Sequence, residues 1–221
     1  MKRIFVDFEM NPIDKKYSAE RKMCGREIIE IGAVMLDENF VEIDEFKLFV
    51  KPEYNSQIYM KYEELTGIKT GNVAGADTFK KAYGEFIRWC GSDYEVYAWS
   101  NSDKSQVEKE MLLKGIELDE AYKYMFEHWI DFQKNFGEMV NSEQLISLEN
   151  ALNSCGIPFS GKKHDALFDA RNTSKLFIES IISDLSKCME TIREYISEEK
   201  SVTNSTIGDL FDFSALGLQL A

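Results

Sequence analysis

Hydrophobic positions fall first into strand-like runs and later into helical repeats. Residues 4–10 read Ile-Phe-Val-Asp-Phe-Glu-Met, an apolar stretch broken only by two carboxylates. Residues 27–36 and 40–50 follow, joined by the turn Asp37-Glu38-Asn39 and ended by Pro52. Together the three predict an antiparallel meander. From there the period lengthens. Asp77-Thr78 is expected to cap a helix with an apolar face of Phe79, Ala82, Phe86 and Trp89/Cys90, closing at Gly91. A short buried strand over 94–99 precedes a helix over 104–114 that Gly115 stops. A further strand is predicted over 128–131, then short helices over 132–140 and 148–154. The strongest helix spans 165–182, with Ala166, Ala170, Thr173 and Phe177 facing inward. A meander followed by alternating helices and strands predicts an α/β fold, a mixed five-stranded sheet with helices on both faces.

The C-terminal region differs. An amphipathic helix is predicted over 185–196, then a polar, loop-like stretch over 201–205, then apolar text over 206–213 and 216–220. We expect one domain over 1–182 and a helical extension with an apolar tail over 183–221. Such a tail docks on its own domain or serves as a homodimer or partner-protein contact. No apolar run approaches the length of a membrane span, and the N-terminus enters a strand without a signal region, so a cytoplasmic protein without membrane contact is expected. Cys24, Cys90, Cys155 and Cys188 are scattered and form no CxxC, which reads as reduced, mostly buried thiols.

Chemistry concentrates in the acids. On a strand Asp7 and Glu9 face one way and Phe8 the other. Two like charges on one face of a buried strand call for a cation between them. Asp103 follows the strand at 94–99, and His164 stands five residues before Asp169 at the start of the long helix. Such oxygen-rich ligands suit Mg²⁺ or Mn²⁺, not zinc. Two such ions, about 4 Å apart, can lower the pKa of a water and stabilise a leaving oxygen. The chain has two histidines, and His164 is placed to take the water's proton. The residues alone therefore indicate metal-assisted phosphodiester hydrolysis. The net charge of −13 points to weak contact with a few nucleotides and away from tight binding along a groove.

Asp7-Phe8-Glu9, Asp103 and the His164…Asp169 pair resemble the three motifs of the DEDDh 3′–5′ exonucleases, which have a ribonuclease-H-like fold. The likeness extends to Glu27-Ile28-Ile29-Glu30-Ile31-Gly32-Ala33-Val34, to Leu65-Thr66-Gly67-Ile68 with Ala76-Asp77-Thr78-Phe79, to Ala98-Trp99-Ser100-x-x-Asp103, and to Trp129-Ile130-Asp131-Phe132. It covers about residues 1–182 and is similar to the branch of histone-mRNA 3′ exonucleases and RNA-interference-limiting exoribonucleases. A glycine-rich text usual in the family is replaced by Trp99-Ser100-Asn101-Ser102. The resemblance implies that Asp7, Glu9, Asp103 and Asp169 hold two metal ions and that His164 is the general base. It also implies that Phe8, Met10, Leu65, Thr66 and Ile68 touch the terminal nucleotide. The implied activity removes 5′-mononucleotides from the 3′ end of single-stranded RNA or short oligonucleotides, with RNA preferred over DNA. Two other readings stay open: a proofreading-type DNA 3′–5′ exonuclease, and a non-catalytic binding module that uses the tail.

Simpler roles fit several neighbours. Asp165 reads as a helix-capping acid, Lys163 and Arg171 as a solvated helix face with phosphate neutralisation as the alternative, and His128 as a packed strand residue.

Overall fold

A computed structural model of the chain describes the backbone of residues 1–204 and the side chains of residues 1–195. The apolar segments at 206–213 and 216–220 lie outside the described residues, and residues 201–204, expected as a loop, continue the preceding helix instead. In chain order the elements are β1 (Lys2–Pro12), α1 (Ser18–Met23), β2 (Arg26–Leu36), β3 (Glu42–Lys51), α2 (Met60–Thr66), α3 (Thr70–Ala74) and β4 (Asp77–Thr78). Then come α4 (Phe79–Cys90), β5 (Tyr94–Ala98), α5 (Asn101–Leu113), α6 (Glu120–Glu127), β6 (Trp129–Asp131), α7 (Phe132–Met139), α8 (Leu148–Ser154), α9 (Ala166–Ile182) and α10 (Ser186–Asn204). None of the described helices is long and apolar enough to cross a membrane.

The mixed sheet has six strands in the order β4-β3-β2-β1-β5-β6, one more than expected. β1 pairs antiparallel with β2 and parallel with β5, and β5 pairs parallel with β6. The added strand is Asp77–Thr78, beside Val50 and Lys51 of β3. Thr78 still precedes α4 in extended backbone, but no side-chain cap bond forms there. Asp77 instead pairs with Lys81, one turn into the helix.

Alternation along the central strands divides the interior into two cores. Ile4, Val6 and Phe8 of β1, with Ile31, Ala33 and Met35 of β2, pack against α4 residues including Tyr83 and Phe86. Phe5, Val34 and Leu36 face the other way, onto Phe132, Phe136, Leu167 and Phe177 of α7 and α9. The register shifts between Glu9 and Met10, so that Glu9 pairs with Glu30 and Met10 with Ile28. The extra residue, Ile29, joins a third, smaller cluster with Ile58, Ile68 and Val73. Bulges of this kind bend a strand and re-aim its side chains.

Two cysteines depart from expectation: Cys155 and Cys188 form a disulfide joining the end of α8 to α10, and Cys24 and Cys90 remain free and buried. Their separation of 33 residues hides the pairing in the sequence. Packing of α10 on α8, with Cys188 and Ile192 in the second core, brings the sulfurs together.

A buried ionic cluster ties β2 to α5. Lys114 Nζ lies 3.2 Å from Glu27 and 2.9 Å from both Glu53 and Glu110, and the Glu27 and Glu110 side chains are fully buried. Glu110 also accepts the Ile28 N–H, and Glu27 the N–H groups of Glu53 and Tyr54. Removing one partner from such a cluster strands the others, at about 3–5 kcal/mol. Lys114→Met should therefore lose about that much stability in urea unfolding, and adding Glu110→Gln should restore part of it. An unchanged midpoint would show that the cluster carries no net interaction.

Candidate active site

β1 brings Asp7 and Glu9 onto the same face as Phe5, which is the face that α9 covers. What lets α9 come close is the residue opposite Asp7, Gly32 of β2. A Cβ at Gly32 would stand 2.1 Å from the Leu167 nitrogen, so only glycine admits the α9 backbone there. The helix start is held by three further contacts. Glu30 Oε2 accepts the Ala166 N–H at 3.1 Å, Asp165 accepts the Phe168 N–H, and Lys47 Nζ bridges Asp165 at 2.6 Å and Glu30 at 3.3 Å. Asp169, in the first turn of α9, then faces β1. We predict that Gly32→Ala will lower activity about 100-fold, the scale of a misplacement of ~1 Å, and cost about 1–3 kcal/mol by overpacking. Thermal melting and initial rates check this, and full activity would mean that α9 docks otherwise.

Asp103 arrives on α5. The helix starts three residues earlier than expected, at Asn101, because the Ser100 side chain accepts the Ser102 N–H. Asp103 thus lies in the first helical turn, buried, instead of just before the helix. The four acids line one cleft of about 360 Å³, together with Phe8, Met10, Trp99 and His164. Ligand atoms of Glu9, His164 and Asp169 lie within 4.8 Å of one another. His164 is exposed, its backbone lies at φ 58°, and its N–H donates to Asp169 Oδ2 at 3.0 Å. A left-handed backbone is uncommon for residues other than glycine, and here it turns the chain from the loop into α9.

None of the four carboxylates is ion-paired with a lysine or arginine among the described residues. Burial pushes Asp7 well above the ordinary aspartate range, and Asp103 and Glu9 beside it add to the effect. Glu9 is pushed up to about 8, first by burial and then by Asp169 and Glu30. Burial also raises Asp103 to about 7 and Asp169 to about 6, the latter against the opposing His164 N–H. Such a set repels itself when ionised and fits hard divalent cations, which oxygen ligands of this kind hold.

The remaining expected contacts divide. Phe8 and Met10 line the cleft, although Phe8 also belongs to the first core. Leu65, Thr66 and Ile68 do not line it. Leu65 is exposed. Thr66 is buried, its hydroxyl donating to Tyr62 O and accepting the Ile68 N–H, and Ile68 sits in the third core. The Thr66 carbonyl does accept Lys162 Nζ at 2.9 Å, which ties this turn to the His164 loop. Lys163 pairs with Glu149, and Arg171 with Glu42 and Glu45. His128 caps the end of α6 and stacks on Tyr124.

Among the neighbours of the site that went unassigned in the sequence are Glu30, the buried carboxylate beside Glu9, and Arg26, which lines the cleft. A lone acid in the apolar run 28–36 was the available signal for Glu30. Arg26 had none.

The profile of the RNase_T exonuclease family matches residues 4–177. Among curated proteins the chain is similar to 3′-5′ exoribonuclease 1 of Rattus norvegicus, with 26% identity over 162 residues, covering 70% of this chain and 47% of that protein. It is also similar to ERI1 exoribonuclease 2 of Homo sapiens, with 28% identity over 201 residues, covering 78% and 27%. The chain thus spans less than half the length of these curated relatives. The nuclease domain of 3′hExo, a DEDDh family member solved bound to rAMP, shares the fold at a TM-score of 0.69 and 24% identity, covering 81% of this chain and 91% of that one. With a family profile running from β1 into α9, the chain belongs to the RNase_T exonuclease family.

Proposed function

We propose that the chain is a metal-dependent 3′–5′ exonuclease that hydrolyses single-stranded RNA or short oligonucleotides from the 3′ end and releases 5′-mononucleotides. The observation that carries this is the convergence of Asp7, Glu9, Asp103 and Asp169 from three elements, without an ion-pair partner among the described residues and each raised by burial, with His164 beside them. Two Mg²⁺ or Mn²⁺ ions held by these four acids would activate a water and stabilise the leaving 3′-oxygen.

His164 takes the proton of the attacking water at a ring nitrogen, and its N–H bond to Asp169 keeps the loop in register with α9. Phe8 and Met10 form the apolar wall on which the terminal nucleotide rests. Domain 1–182 holds all of this machinery. The ribonuclease names of the curated relatives, and the rAMP bound to the 3′hExo nuclease domain, support RNA over DNA.

The test is incubation of 5′-labelled single-stranded RNA and DNA of one sequence with Mg²⁺, Mn²⁺ or EDTA. A metal-dependent ladder shortening from the 3′ end, faster on RNA, is expected. A faster DNA ladder would favour the proofreading reading, and no cleavage of either strand would defeat the enzyme reading.

A further inference from the structure

Arg26 opens β2 and reaches the same cleft as the four acids. Its backbone carbonyl is fixed from two sides, accepting from Gln106 Nε2 at 2.8 Å and from Cys24 Sγ at 2.9 Å. Gln106 is one turn beyond Asp103 on α5, so the arginine is anchored to the helix that carries a site carboxylate. The side chain is exposed, and among the described residues its guanidinium forms no ion pair or hydrogen bond. The other permanent cation lining the cleft, Lys163, is paired with Glu149. Arg26 is therefore the cation there left with donors to offer.

Its placement is also lateral. Its backbone is tied through Gln106 to α5, the helix that carries Asp103, whereas β1 and α9 carry the other three acids. Ligand atoms of Glu9, His164 and Asp169 cluster together, whereas Arg26 lines the same cleft anchored to the Asp103 helix. A 3′-terminal nucleotide brings the scissile phosphate and no other, so every further phosphate lies on its 5′ side. A planar guanidinium with five donors matches phosphate oxygens bidentately.

From this juxtaposition we propose that Arg26 binds the substrate phosphate next to the scissile one on the 5′ side, which makes it a determinant of preference for chains of at least three nucleotides. This rests on the exonuclease reading above. One phosphate clamp on a surface of net charge −13 also sets the reach of the site, because it grips a few nucleotides and no more.

The experiment compares ApA, with one phosphodiester, and ApApA, with two, under Mn²⁺ for the wild type, Arg26→Ala and Arg26→Lys. On ApApA, Arg26→Ala should lower kcat/KM about tenfold or more, chiefly through KM, as loss of a charged hydrogen bond does. The fall on ApA should be at least about fivefold smaller. Arg26→Lys should recover part of the loss, and the salt dependence of ApApA hydrolysis should lose about one unit of log–log slope in Arg26→Ala. Thermal melting guards against a folding defect, and the carbonyl contacts of residue 26 persist in both variants. Equal falls on the two substrates, or none on either, would overturn the assignment while wild-type activity upholds the exonuclease reading. A wild type inactive on both substrates would overturn that reading and this assignment with it.

Discussion

Asp7→Asn should abolish metal-dependent hydrolysis and, in metal-free buffer at neutral to alkaline pH, yield a more stable protein. Asp7 is the central acid of the set, opposite Gly32 and raised by the charges of Asp103, Glu9 and Asp169 after burial. Asparagine keeps the shape and removes the charge that would bind cations. A loss of 10³-fold or more is expected, about 4 kcal/mol of transition-state stabilisation.

The stability gain follows from linkage. Burial and neighbouring carboxylates raise all four acids, Glu9 to about 8, Asp103 to about 7 and Asp169 to about 6. The folded state therefore keeps protons that the unfolded chain releases, and metal-free stability falls as pH rises from about 4 to about 8. Below that window the group contributions are fully present. Asp7→Asn removes one charge from the repulsive set, so its melting temperature should exceed that of the wild type by a margin that grows with pH. Each kcal/mol corresponds to about 2–4 °C for a chain of this size. Saturating Mn²⁺ should reverse the order, since the wild type has more ligands to offer. Melting curves at pH 5.5, 7 and 8.5 with EDTA or Mn²⁺ decide it. A variant that still cleaves, or that melts lower than the wild type at pH 8.5 without metal, would refute the account of the site.

His164→Asn should lower the rate about 10²–10⁴-fold, the range of a positioned general base, while leaving the fold intact. Asparagine is chosen because residue 164 sits at φ 58°, where its short polar side chain is tolerated better than most. The backbone N–H bond to Asp169 persists in the variant, so metal-dependent stabilisation should remain. A variant with wild-type turnover would mean that the water loses its proton elsewhere. Equal loss of rate and of metal-dependent stabilisation would assign His164 to holding the site together and not to proton transfer.

Much of this was legible in one dimension because strand and helix periods are local properties. The meander, α4, α9 and the facing of Asp7 and Glu9 follow from alternation and helical spacing. Turn and terminus details were less so. The early start of α5 depends on whether Ser100 or a later residue caps, and the two-residue β4 on a neighbouring strand edge. The stretch 65–68 illustrates the limit. Its sequence suits a substrate loop, yet Thr66 and Ile68 turn inward because the third cluster offers Ile68 apolar partners and Tyr62 accepts the threonine hydroxyl. The disulfide has the same origin, since sequence distance conceals two cysteines that helix packing places together.

Sequence by itself determined the class of fold, the order of the acids and the candidate residues, because residue type and spacing encode face and chemistry directly. Tertiary structure decided that the acids share one cleft. That depends on a backbone approach through Gly32 and on the Glu30 and Lys47 hold on the start of α9. Each is a long-range contact between segments that carry no mark of one another, and such contacts exist only once the sheet has brought the segments together.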